Sequence, residues 1–353
     1  MTLFFNNDGS ILITTPIIIQ ILSFLNLKTK ECLPYLFAGA LIATASSAPI
    51  AVSNLANLIA LKIVGLEIND YVLLMFVPTL VGIIVLGTLV YFYFKPDIPR
   101  KIPASPHSFN TWLEHNTSLN YKQGHRAIRQ HPLMETVQEH KPMDFPLFRL
   151  CISIVILTRA GLFLGSSSGI PMEMIALAGA VLLIGVRWKW MRIGWQDVIK
   201  KCPWHILIFA FSIYVVIHAL HLIGLTTLLV NLVQPFIAES HIHAIMITGG
   251  FATLIANLFN NIPAVMIGTI TLTEMGLDFE LMQLAYLANI IGSDLGALIS
   301  PMGTLATLLW MFILKNHRIP ISWGKYFKVV IAVVPISTVV TLFSLYFWTR
   351  LFF

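Results

Sequence analysis

Ten apolar stretches follow one another along this sequence, and their lengths decide what the chain can fold into. A helix that crosses a bilayer needs about 20 consecutive apolar residues. Residues 10–25, 33–63, 71–94, 147–164, 172–186, 203–225, 241–259, 263–275, 281–314 and 329–352 approach, meet or exceed that length. Two of them, 33–63 and 281–314, are too long for one plain crossing and carry Pro, Gly, Ser and Thr in the middle. Two others, 241–259 and 263–275, are short arms around a polar knot, Asn260-Asn261. Short arms around a polar tip predict a re-entrant hairpin over 241–275 rather than two crossings.

Composition agrees. Hydrophobic residues make up 57% of the 353 positions and charged residues 11%, against about 25% charged in a soluble domain. Mean hydropathy is +0.82. These values exclude a soluble enzyme, a disordered protein and a DNA-binding domain. The net charge of +6 does not imply a nucleic-acid partner, because phosphate-binding patches need polar surface that this chain lacks. Membrane lipid is the expected surrounding. Cys32, Cys151 and Cys202 are far apart and form no CxxC, so they read as buried small hydrophobes rather than a metal site or a disulfide framework. No P-loop, GxSxG or HExxH motif occurs. The chain is therefore expected to be no enzyme, to need no cofactor or metal, and to move solute with a gradient or a partner.

Eighteen of the 22 Lys and Arg residues fall in four loops: at 28–30, 95–141, 187–201 and 315–328. The alternate loops hold only acids, Glu67, Asp70, Glu173, Glu239, Glu274, Asp278 and Glu280. Basic loops stay on the cytoplasmic side. If each long or plain stretch crosses once and 241–275 returns, every basic loop falls inside and the C-terminus outside. Residues 95–146 are the one hydrophilic stretch. Their histidines, His107, His115, His125, His131 and His140, share no helical face, so the stretch reads as a cytoplasmic linker. On the 203–225 span, His205, His218 and His221 read as interfacial, with His218 and His221 on one face near the outer end.

An internal repeat emerges from two comparisons. Phe4-Phe5-Asn6-Asn7 matches Leu258-Phe259-Asn260-Asn261 at an offset of 254. Ser47-Ala48-Pro49-Ile50 and Ser53-Asn54-Leu55-Ala56-Asn57-Leu58 match Ile299-Ser300-Pro301-Met302 and Gly303-Thr304-Leu305-Ala306-Thr307-Leu308 at 250–252. With opposite exits assigned by charge, the repeat is inverted, the plan of many secondary transporters. The expected fold is an all-α polytopic membrane protein, an inverted-repeat secondary transporter with re-entrant hairpins and broken helices. Residues 1–94 would be the remainder of repeat 1, 95–146 the linker and 147–353 repeat 2. Symmetry also predicts that the first repeat is truncated by roughly 100 residues, three spans and a hairpin arm.

Three ionisable side chains lie well inside spans or tips: Asp8, Arg159 and Asp294. Such groups are costly in a membrane and mark candidate sites. Asp294, in Gly292-Ser293-Asp294-Leu295-Gly296, is a proton or ion carrier or a structural cap. Asp8, in Asn7-Asp8-Gly9-Ser10, caps the following helix or meets substrate, or both. Arg159 is a charge partner for a carboxylate or an anion contact. Asn261 and Ser300 are expected to cap half-helices, whose free N–H groups suit an oxyanion or a neutral polyhydroxyl solute. Asn6, Asn7, Ser53, Asn54, Asn260 and Thr304 add neutral donors and acceptors.

Phe5-Asn6-Asn7-Asp8-Gly9-Ser10, Ser53-Asn54-Leu55-Ala56-Asn57, Asn260-Asn261-Ile262-Pro263-Ala264, Gly292-Ser293-Asp294-Leu295-Gly296 and Pro301-Met302-Gly303-Thr304-Leu305-Ala306-Thr307-Leu308-Leu309-Trp310 resemble the arsenite efflux permeases. These are arsenical pump membrane proteins of a wider ion-transporter superfamily that also holds sodium/proton antiporters and dicarboxylate carriers. The resemblance covers essentially the whole chain outside the linker. It implies efflux of arsenite and antimonite across the plasma membrane against protons, with Asp294 as proton carrier. It leaves room for a soluble arsenite-stimulated ATPase and for a homodimer. The alternatives are an antiporter or an inorganic anion or carboxylate carrier of the same superfamily, or an inactive truncated remnant. Where the family pattern has an Asp in the first broken helix, this chain has Thr44, which removes one candidate proton carrier. No cysteine lies at either tip or break, so arsenic would be recognised as arsenous acid through hydrogen bonds.

Overall fold

The computed structural model describes residues 2, 6–25, 27–99, 144–166, 170–191, 199 and 204–352. Most of the predicted linker with its five histidines, Phe4, Phe5, Cys202 and the side chain of His205 lie outside the described residues. The described residues form thirteen α-helices and two short 3-10 turns, with no strand among them. The helices are α1 (Asn7–Phe24), α2 (Thr29–Ala45), α3 (Leu55–Val64), α4 (Ile68–Phe94), α5 (Phe145–Ser166), α6 (Met172–Met191) and α7 (Trp204–Leu222). They continue with α8 (Leu225–Ile237), α9 (His241–Phe259), α10 (Asn261–Glu274), α11 (Phe279–Asp294), α12 (Leu305–Asn316) and α13 (Trp323–Thr349). Six described helices are long and apolar enough to cross a membrane, or seven if α7 and α8 are taken as one bent span. Large apolar side chains such as Ile84, Leu157, Phe211 and Leu254 stay exposed on them. This is a polytopic helical membrane protein, in which lipid covers the apolar outer face.

The chain divides into two compact units, residues 1–102 with 208–353 and residues 103–207. In the second unit α5 and α6 pack closely. A Cβ at Gly179 would collide with Thr158, and one at Gly165 with Ile175. Trp190 Nε1 donates to Asp144 at 3.0 Å.

In the first unit the two over-long stretches are broken helices. Residues 33–63 become α2, a 3-10 turn at Ala51–Ser53, and α3; residues 281–314 become α11, a 3-10 turn at Gly296–Ile299, and α12. Pro49 and Pro301 sit in the two breaks, where a residue without an N–H cannot continue the helical ladder. The polar knot is the tip of a helical hairpin, with α9 and α10 separated by Asn260 alone. One element was not expected: α8, which leaves α7 at 76°. Gly224, at φ 89, supplies the left-handed residue the bend requires. Thr226, Val230, Val233 and Ile237 then form one buried stripe at helical spacing.

The two broken helices sit in an inverted arrangement. α4 and α13, each 27 residues long, follow the first and second breaks and run antiparallel. Trp348 near the end of α13 donates to Leu73 O near the start of α4, at 2.9 Å. At the other end Phe37 packs at a tilt against Phe94 and stacks on Tyr326. Between these points Gly82 lies so close to Thr341 that a Cβ would collide with it. The tyrosine near the start of each long helix ties down a break. The Tyr71 hydroxyl donates to Ala48 O at 2.6 Å and the Tyr326 hydroxyl to Leu298 O at 2.8 Å, positions 250 residues apart. The main apolar core fills the space among α1, α2, α4, α12 and α13, with Phe37, Trp310 and Tyr326 at its centre.

Candidate functional site

Asp294 is the last residue of α11, at the edge of the second break, and is 1% exposed. A carboxylate at a helix C-terminus meets the negative end of the helix dipole, so neighbours must supply the compensation. They come from the first broken helix. Asn54 Nδ2 donates to Asp294 Oδ1 at 2.8 Å, Asn57 Nδ2 to Oδ2 at 2.6 Å and Ser47 Oγ to Oδ2 at 3.4 Å. The buried Asn261 side chain is a further neutral group that favours the charged form of the same carboxylate. These partners are neutral. Asn54 is also the N-cap of α3, accepting from Ala56 N at 3.1 Å, and Asn57 lies in the first turn of that helix. Asn261 opens α10. The positive ends of two short helices thus converge on one buried carboxylate.

The same place holds orphaned polar atoms. Ser53 Oγ and Asn57 Oδ1 are buried without a hydrogen-bond partner among the described residues. A buried unpaired polar group costs about 1–3 kcal/mol, and such groups beside a carboxylate mark where a polar solute or water can bind.

The hairpin tip is fastened to the second break. Asn260 Nδ2 donates to Met302 O at 3.1 Å, and Asn261 N donates to Gly303 O at 2.8 Å. Asn260 stands at φ 89, ψ 157, a backbone region natural to glycine and strained for other residues. Its Oδ1 accepts from Ile262 N at 3.4 Å, so Asn260 caps α10, and the expected cap, Asn261, is the first helical residue. The second break also shifts the cap. Ser300 closes the 3-10 turn, and Thr304 caps α12, accepting from Thr307 N at 3.1 Å. Pro301 and three further residues separate Ser300 from the first helical residue, Leu305, which moves the capping role to Thr304.

Asn6, Asn7 and Asp8 form a separate group at the start of α1. Asn6 is the cap there, accepting from Gly9 N at 2.8 Å, and Asn7 Oδ1 accepts from Asp8 N at 2.9 Å. Asp8 lies in the first turn, and its Oδ1 is buried without a hydrogen-bond partner among the described residues. Arg159 lies on α5 in the second unit, partly buried. His221 Nδ1 lies 2.6 Å from Glu274 Oε1 and 2.9 Å from Thr226 Oγ1, with the His218 ring stacked on it. Among the described residues no three His, Cys, Asp or Glu side chains form a metal-holding group.

The geometry therefore joins Asp294, Asn54 and Asn261 among the expected site residues and adds Asn57 and Ser47, which the sequence reading did not single out. Asn57 follows Asn54 by three positions, one helical turn, and that spacing was the available signal.

Comparison with known proteins gives these residues their setting. The model of the family described as Arsenical pump membrane protein matches residues 1–105 and 130–349. A relative from Bacillus subtilis (strain 168), likewise named for an arsenical pump, is 45% identical over 351 residues, 99% of this chain and 76% of the relative. The Arsenical pump membrane protein of Escherichia coli (strain K12) is 31% identical over 325 residues, 92% of this chain and 69% of that one. The match spans both broken helices, the hairpin tip and Asp294, and the chain belongs to the arsenical pump membrane protein family.

Proposed function

We propose that the protein carries arsenite and antimonite out of the cell across the plasma membrane in exchange for protons, with Asp294 as the proton carrier. The observation that carries this reading is the setting of Asp294: a buried carboxylate held, among the described residues, by neutral donors, next to orphaned Ser53 and Asn57 oxygens. A carboxylate fixed by a cation would be locked in its charged form. One held by amides can lose or gain a proton without breaking an ion pair. Arsenous acid is neutral and carries three hydroxyls, each able to donate and accept. Ser53 Oγ and Asn57 Oδ1 offer it a donor and two acceptors, with Asn260, Thr304 and Ser300 completing the second break.

In this scheme residues 1–94 belong to repeat 1 and residues 147–353 form repeat 2, the 95–146 linker is cytoplasmic and the C-terminus outside. Asn6, Asn7 and Asp8 form the first tip. Association with a soluble ATPase and self-association as a dimer are further expectations, checked by co-purification and by mass of the purified protein.

The test is arsenite accumulation in everted vesicles with an imposed pH gradient. Wild type should accumulate arsenite, and Asp294→Asn should abolish pH-driven exchange while keeping a normal elution profile in detergent. Undiminished exchange in Asp294→Asn overturns the carrier role. Sodium-dependent flux with no arsenite response overturns the substrate.

A further inference from the structure

The second break is held open by a side chain. In an uninterrupted helix the Ser300 N–H would bond to the carbonyl four residues earlier, that of Gly296. Instead the amide of Asn257, on α9, lies between the two. Its Oδ1 accepts from Ser300 N at 2.6 Å and its Nδ2 donates to Gly296 O at 2.9 Å. One planar amide thus takes the place of one helical hydrogen bond. Insertion of a side chain into the helical ladder is a recognised cause of a sharp kink. Within a membrane, freed backbone groups must find protein partners.

The neighbouring contacts keep the wedge in place. Asn257 Nδ2 also reaches Thr253 O at 2.8 Å, and Ser300 Oγ donates to Asn257 O at 3.2 Å. One turn earlier, Thr253 Oγ1 donates to Gly249 O of its own helix at 2.8 Å and also reaches Gly292 O at 3.2 Å. Glycines at 292 and 296 allow the close approach, since a Cβ at either would collide with Gly249 or Thr253. The bonded backbone begins two residues after Asp294, so whatever fixes Gly296 fixes the end of the helix that presents the carboxylate.

We infer that Asn257 is a positioning residue: its amide substitutes for the Ser300–Gly296 helical bond and so sets where α11 ends and where Asp294 points. The inference concerns the site proposed above, but its structural part stands without the substrate. Asn257→Asp discriminates the role. In that variant an ionised carboxylate still accepts from Ser300 N but has no donor for Gly296 O. A protonated carboxyl group has both.

The experiment has two arms on the purified full chain and on vesicles. In hydrogen exchange, Asn257→Ala should raise exchange in the 295–303 segment at least tenfold, with the α13 segment unchanged. In flux, Asn257→Ala should raise the apparent KM for arsenite at least tenfold. Asn257→Asp should approach wild-type flux only at acidic pH and fall below it as pH rises. Unchanged exchange in Asn257→Ala, or a wild-type pH profile in Asn257→Asp, overturns the inference. Aggregation of both variants makes Asn257 a folding residue and overturns it too. If wild type itself moves no arsenite, the proposed transport fails, and the exchange arm still decides the wedge.

Discussion

The Asn57 amide nitrogen lies 2.6 Å from Asp294 Oδ2, while the carbonyl oxygen of the same amide is buried with no hydrogen-bond partner among the described residues. The pair suits both charge states of the carboxylate. In the ionised form Nδ2 donates to it, and after a half-turn of the amide Oδ1 could accept from the protonated form. Asn57→Leu removes both options and should cost about 1–3 kcal/mol and reduce pH-driven flux at least tenfold. Asn57→Asp sets a second carboxylate against Oδ2, and two such groups cannot both ionise cheaply. Its stability should therefore fall as pH rises and recover at acidic pH, read from thermal unfolding across a pH series. A flat series would remove Asn57 from contact with Asp294.

The two tyrosine ties should act independently. Tyr71 and Tyr326 lie near the starts of antiparallel 27-residue helices, at opposite ends of the pair, and their hydroxyls share no hydrogen-bond partner. Tyr71→Phe and Tyr326→Phe should each cost about 1 kcal/mol, and the double variant should lose close to the sum. Melting of the three variants in one detergent checks this, and a double variant no worse than either single one would contradict it.

At the hairpin tip, strain and binding can be separated. Asn260→Gly releases the unfavourable φ of 89 but loses the bond to Met302 O. It should match wild type in melting temperature while arsenite flux drops. Asn260→Ala keeps the strain, of about 1–3 kcal/mol, and loses the bond. It should be less stable than Asn260→Gly; equal stability would mean the φ is not retained.

The α9–α11 contact should tolerate no added methyl group. A Cβ at Gly292 meets the Gly249 carbonyl, which is backbone and cannot rotate away. Gly292→Ala should destabilise by about 1–3 kcal/mol or more. Gly250→Ala, where a Cβ meets nothing, serves as the control. Similar yields of folded protein from the two would show that α9 and α11 are further apart than described.

The breaks and the tip were legible in the sequence because they are lapses in an otherwise apolar pattern. Pro49, Asn260-Asn261 and Pro301 stand out for that reason, and Asp294 for its charge. The partners of Asp294 were less legible. Asn54 and Asn57 come from a segment 237–240 residues away, and no local pattern says that two breaks meet. Caps shifted by one to four residues, from Asn261 to Asn260 and from Ser300 to Thr304, since any of these side chains can cap and the backbone decides which does. Asn257 looked like an ordinary polar residue in a helix, because its bonds run to backbone groups that only a broken neighbour exposes. The α8 helix was missed because its buried stripe is short and begins at a glycine.

At the position 250 residues before Asp294 the first break has Thr44, whose hydroxyl is spent on its own helix at Ala40 O. An uncharged solute leaving against a single proton at Asp294 would move one elementary charge inward per cycle, so the exchange would be electrogenic. The membrane potential then contributes about 2.3 kcal/mol per 100 mV, a gradient of roughly 40- to 50-fold. Export through this one carboxylate would continue with no pH difference across the membrane, driven by voltage alone.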